Sequence, residues 1–282
     1  MVGVLGVSAS AILVRFSQAP SGVTAAYRLG WTVLLLLPVV LLRCRAELRR
    51  VTARDLVLCG ASGVLLALHF LTWFESLKRT SVASSTVLVS TEVIFTALGF
   101  ALFLHGKIPR LGVWAILLAF GGSALLALSG GGGAGELSGN LLALAAASAA
   151  AVYPLIGRIQ RGHLSTTVYT FLTYLACFLT LLLGTAAAGT PLTGYGGREW
   201  LIGLALAVLC TLLGHSLFSW CLKYLSPSYV SAAKLCEPVF SSLAAIPLFG
   251  EVPGPLQLAG GAAVLGAVLL YTWAEREKTP AG

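Results

Sequence analysis

Two charged side chains three residues apart, Lys234 and Glu237, stand inside an apolar stretch, 226–251, long enough to cross a bilayer. At roughly 1.5 Å and 100° per residue they share one helix face with Val230 and Ser241. An ionised group at the centre of a bilayer costs at least about 2.5–3.5 kcal/mol, so this pair is expected to face a cavity or a ligand rather than lipid. Pro238 follows directly, and its missing N–H leaves a carbonyl of the preceding turn open to a ligand or a bend. A second carboxylate, Glu92, lies near the middle of another apolar run, with Ser85 and Thr96 on its face. Two carboxylates and one ammonium suit an amino acid-like zwitterion, or an organic cation if Lys234 already neutralises Glu237. Lys234 reads equally as a tether for a substrate carboxylate and as an internal counter-ion. A carboxylate in low dielectric takes up a proton more readily than in water, so either glutamate can also couple protons to the cargo.

These residues need elements to hold them in the membrane, and the composition supplies them. Of 282 residues 57% are hydrophobic and only 10% charged, with mean hydropathy +0.92, which excludes an ordinary soluble domain. The net charge of +8 sits at the ends of apolar runs rather than among stacking aromatics, so no nucleic acid partner is expected. Six cysteines contain no C-x-x-C pair and read as small packing residues, Cys236 beside Glu237 being the one to watch. The opening run has neither a basic leader region nor an A-x-A site and is expected to be retained as a helix.

Apolar runs between turn signals and charges predict ten transmembrane helices, at 2–17, 23–42, 55–76, 81–104, 111–129, 137–158, 165–188, 199–224, 227–249 and 256–274. Twelve Lys and Arg fall on the side shared with both termini and four on the other, which predicts cytoplasmic termini. A shift of 145 positions superposes Leu77, Lys78, Ser81, Glu92, Phe95 and Leu98 on Leu222, Lys223, Ser226, Glu237, Phe240 and Leu243. A Gly-rich linker at 130–136 separates the two halves, 1–129 and 137–276, with a short tail at 277–282. Five spans per half force the second half to enter upside down. Such inverted repeats place solute sites near the midplane of a central cavity. The expected fold is thus all-α: ten membrane helices in two inverted five-helix repeats.

The run Glu237-Pro238-Val239-Phe240, continuing to Leu248-Phe249-Gly250-Glu251, resembles the EamA type of the drug/metabolite transporter superfamily over essentially the whole chain. In the first half Gly106-Lys107 stands for Gly-Glu, and Val93 for the proline. The resemblance implies secondary transport of amino acids or other small metabolites, usually outward across the bacterial inner membrane, as a monomer or homodimer without cofactors. It also implies a cavity surrounded by spans three, four, eight and nine.

Further candidates lie on or near those spans. His69 and His215 titrate near neutral pH and read as proton carriers or as structural histidines. Trp73 and Tyr153 read as lining residues, since aromatic faces attract ammonium groups. Arg28 and Arg15 are expected to snorkel to the headgroups, Glu75 to be hydrated at the external end of its span or to form a charge at the mouth, and His105 and His163 to be plain surface residues. Gly121-Gly122 and Gly260-Gly261 are expected to permit close helix contact. No H-E-x-x-H, G-x-S-x-G or phosphate-binding loop occurs, and Asp55 is the one aspartate, so hydrolysis and ATP-driven pumping are not expected. A single chain with one asymmetric charged pair also argues for a carrier over a channel.

Overall fold

The computed structural model describes residues 2–103, 108–129, 134–160, 163–215 and 236–276, and these are helical throughout apart from short connections. The helices are α1 (Val2–Phe16), α2 (Ser21–Arg43), α3 (Arg45–Leu48), α4 (Ala53–Arg79), α5 (Val82–Val89), α6 (Glu92–Phe103), α7 (Arg110–Leu128), α8 (Ala134–Gln160), α9 (Thr166–Ala187), α10 (Gly197–Ala205), α11 (Cys236–Phe249) and α12 (Pro255–Arg276). A π-helical segment, π1 (Leu206–His215), continues α10. Seven described stretches are long and apolar enough to cross a membrane, and α1, α7 and α11 are shorter apolar helices.

Local chemistry sets the helix ends. Thr52 and Asp55 form a reciprocal capping box that starts α4, while Ser81 and Ser165 cap α5 and α9 through the amides of Ser84 and Val168. Gly250, at φ +68°, closes α11, its amide bonded to the Ile246 carbonyl. The run expected to be one span from 81 to 104 is two helices, broken at Ser90 and Thr91. Hydroxyls cause this: Thr86, Ser90 and Thr91 bond back to the carbonyls of Val82, Thr86 and Leu88, competing with the helical ladder. Glu92 therefore opens a new helix instead of riding on a continuous one.

Packing joins the two ends of the chain. The helix α4 lies along α8 and α9, α2 along α9 and α10, α1 along π1 and α11, and α7 along α12. The main core is built from Val14, Leu29, Phe70, Phe74, Leu77, Leu181 and Leu206, drawn from five of these elements, while Ile94, Ile116, Val268 and Tyr271 form a second core under α6, α7 and α12. Gly122 and Gly260 meet where α7 crosses α12; a Cβ on either would stand 2.9 Å from the other's carbonyl oxygen. Gly121 faces open space, so only one glycine of that pair does the packing expected of both. The outside carries Leu42, Trp114, Leu183, Leu201 and Trp273, an apolar surface that only lipid satisfies.

Candidate functional site

The centre of the bundle is organised by Arg28. It was expected to snorkel, yet it is 1% exposed, because α2 turns Thr24, Arg28 and Thr32 inward among α1, α4 and π1. Close approach makes this possible: a Cβ on Gly203 would lie 2.6 Å from Cβ of Tyr27, so α10 sits against the α2 backbone and seals the route to the surface. Arg28 Nε donates to Thr211 Oγ1 at 2.9 Å and Nη1 donates to Ser10 Oγ at 3.1 Å. Thr211 is presented by π1, where its hydroxyl also reaches the Leu206 carbonyl five residues back. The guanidinium lies over the Phe70 ring, 4.5 Å from its centroid.

Phe70 begins an aromatic ladder on α4. His69 packs against Phe70 and stacks on Trp73, with centroids 5.1 and 5.7 Å away. His69 is buried with Nδ1 3.0 Å from the Ala146 carbonyl oxygen, which fixes its ring against α8. Trp73 is buried too, and its indole N–H has no acceptor among the described residues. Glu92, half-buried at the start of α6, acts electrostatically on His69; Glu237, half-buried in the first turn of α11, acts on Arg28 and Cys210. The structure thus brings His69, Trp73, Glu92 and Glu237 to one region, centred on an arginine that the sequence reading assigned to the surface.

Other expected site residues fare differently. Ser241 is fully buried and donates to the Ser8 carbonyl at 3.0 Å, so it ties α11 to α1. Tyr153 lies within α8 and His215 ends π1. Lys234, His105 and Lys107 lie outside the described residues. Ser85 bonds Ser76 at 2.9 Å, and Thr96 bonds the carbonyls of Glu92 and Ala151 at 2.8 and 3.3 Å, so both hold α5 and α6 in place.

Two polar closures cap this centre. At one end Arg15, also expected to snorkel, pairs with Glu251 at 2.7 Å and bonds the carbonyls of Leu77 and Thr80. Glu251 accepts the Val82 amide as well, at 2.7 Å, because the turn at Gly250 swings it toward α5. Nearby, buried Glu199 accepts from Ser17 Oγ at 2.6 Å and the Gln18 amide at 3.1 Å, and Glu75 pairs with Arg79 at 2.8 Å. At the opposite end buried Asp55 accepts from Thr52, from Gln160 Nε2 at 3.1 Å and from His163, whose Nε2 lies 2.7 Å away. His163 is half-exposed but is not the plain surface residue expected: it joins the α8–α9 loop to α4.

Membrane-length helices, an apolar exterior, a charged centre and polar closures at both ends define a polytopic membrane protein. The chain belongs to the EamA-like transporter family, which it matches over residues 1–128 and 137–273. It is therefore a transporter and not an enzyme. It is 28% identical over 232 residues to a "Probable terminal-alkyne amino-acid exporter" of Streptantibioticus cattleyicolor, covering 79% of this chain and 75% of that one. It is 24% identical to the "Pseudopaline exporter CntI" of Pseudomonas aeruginosa, over 73% of this chain and 72% of that one. With the "Threonine/homoserine exporter RhtA" of Escherichia coli it shares 26% identity over 59% of its own length and 56% of the exporter's. A protein of known crystal structure shares the fold, with TM-score 0.63 at 18% identity over 96% of this chain and 94% of that one.

Proposed function

We infer that this protein is a secondary active exporter of small amino acid-like zwitterions, working by alternating access across the inner membrane with both termini cytoplasmic. The observation that carries this reading is the gathering of Arg28, His69, Glu92 and Glu237 at the centre of the bundle, Glu237 acting on Arg28 and Glu92 on His69: positive and negative groups that match a solute of both charges. Two of its relatives are named as exporters of amino acids, which agrees with it.

The ten-span inverted repeat is part of the same proposal, and the neighbour pattern supports it. If spans one to five are exchanged for six to ten, the contact of α4 with α8 becomes that of π1 with α1, and α4 with α9 becomes α10 with α2. The contacts of α7 with α12, α2 with α9 and α5 with α11 map onto themselves. A pseudo-two-fold axis through those three pairs passes beside the Arg28 centre, where two halves that rock would expose a solute alternately.

Proteoliposomes test the reading. Uptake of a labelled neutral amino acid should saturate and be accelerated by the unlabelled solute inside, and Glu92→Gln or Glu237→Gln should change its dependence on a proton gradient. Unsaturating, ohmic currents would overturn the carrier, and unchanged pH dependence in both variants would remove protons as the coupling ion.

A further inference from the structure

We propose that Arg28 is the anchor for the carboxylate of the transported solute, with the indole N–H of Trp73 as its second donor. The proposal rests on the exporter reading above and names the specificity-determining pair within that site. The guanidinium is almost wholly buried, yet among the described residues it donates to two hydroxyls and lies over an aromatic ring, with no carboxylate at ion-pair distance and Glu237 acting on it only from further away. A buried cation without a carboxylate in contact is costly, and the cost falls when an anion arrives to pair with it. With Nε given to Thr211 and Nη1 to Ser10, Nη2 donates to nothing among the described residues. An arginine used purely to brace helices would have every donor satisfied.

Trp73 supplies the independent observation. Buried indole N–H groups normally find an acceptor, and this one has none among the described residues although the ring is 5% exposed. Trp73 stands one helical turn beyond Phe70, the ring under Arg28, and is joined to it through His69. Two donors on neighbouring rungs of that ladder, neither with an acceptor among the described residues, ask for a single acceptor group with more than one oxygen, and a carboxylate is the group of that kind in an amino acid. Glu92, which acts on His69 of the same ladder, is then left to face the ammonium. This places the tether on α2, and of the two readings of Lys234, tether or counter-ion of Glu237, it leaves the second.

The test compares ligands that differ only in the carboxylate. Melting of the detergent-purified full chain is followed with L-threonine, with its methyl ester, and with the matching amino alcohol, in the wild type, Arg28→Gln and Trp73→Phe. A ligand that binds the folded state raises the melting temperature. The wild type should be stabilised by the amino acid at least tenfold more effectively, in concentration, than by either compound without a carboxylate. Trp73→Phe, which keeps the ring, should weaken the amino acid roughly tenfold and leave the other two unchanged. Arg28→Gln should lose the preference and melt no lower than wild type without ligand, since a buried charge has been removed. Equal stabilisation of the wild type by all three compounds overturns the anchor and leaves the exporter reading standing; a preference that survives in both variants does the same. If Arg28→Gln does not fold, Trp73→Phe decides alone. No response of the wild type to these or to other neutral amino acids and amines removes the exporter reading, and the anchor with it.

Discussion

At the scale of single residues, the charges inside this protein divide into those that are fully used and those that are not. Asp55 is used: it caps α4, and it receives Gln160 and His163 from the other half of the chain. Asp55→Ala removes the cap and leaves a buried amide without its acceptor, so it should cost about 2–3 kcal/mol, read as a lowered melting temperature with or without ligand. A solute-site residue should behave differently, changing ligand response and not basal melting, and that contrast separates the two kinds of charge experimentally. The sequence showed Glu92 and Glu237 readily, because isolated carboxylates in apolar runs have no ordinary explanation. Arg28 was hidden by its position. An arginine about 10 Å from the end of a helix can in principle reach the headgroups, and nothing in its neighbours on the chain reveals that α10 closes against α2 through Gly203. Thr24 and Thr32, one turn to either side, were the available signal of an inward polar face.

At the scale of elements, hydropathy identified where helices lie but not their interruptions. The break at Ser90 and Thr91 and the π-helical segment come from hydrogen bonds of hydroxyls and from a changed backbone register, and neither alters apolar content. Both irregularities sit at the candidate site, one freeing Glu92 at a helix start and the other turning Thr211 toward Arg28. Close contact between α7 and α12 was legible as two glycine pairs, although the pairs alone do not tell which glycine of each faces its partner. The structure does, and a paired substitution checks it. Gly122→Leu must push against the Gly260 carbonyl and the Ala263 and Val264 side chains, all 2.9 Å from a Cβ there, and should lower the melting temperature by several degrees. Gly121→Leu, one residue away and facing open space, should leave it unchanged. Equal effects would mean that α7 is rotated from the orientation described.

At the scale of the whole molecule, the two closures oppose each other across the Arg28 centre, and each joins the first half of the chain to the second. Arg15 and Val82 hold Glu251 at one end; Asp55 holds Gln160 and His163 at the other. A protein that rocks between two openings must break one set while keeping the other, so weakening one closure shifts the population toward opening at that end. Native Cys59 reports on this without any engineered label. It is 1% exposed, one turn beyond Asp55 and packed under Leu164, Val168 and Tyr169, so a thiol reagent reaches it when the Asp55 end opens. His163→Ala should therefore raise the rate of maleimide labelling at Cys59 several-fold, measured peptide by peptide in the detergent-purified chain. Glu251→Gln, which loosens the far closure, should lower that rate, because it draws molecules toward the opposite opening. The opposed signs are what separate rocking from general loosening: if both variants speed labelling of Cys59, the closures merely stabilise one structure, and alternating access must be sought in some other movement of the bundle.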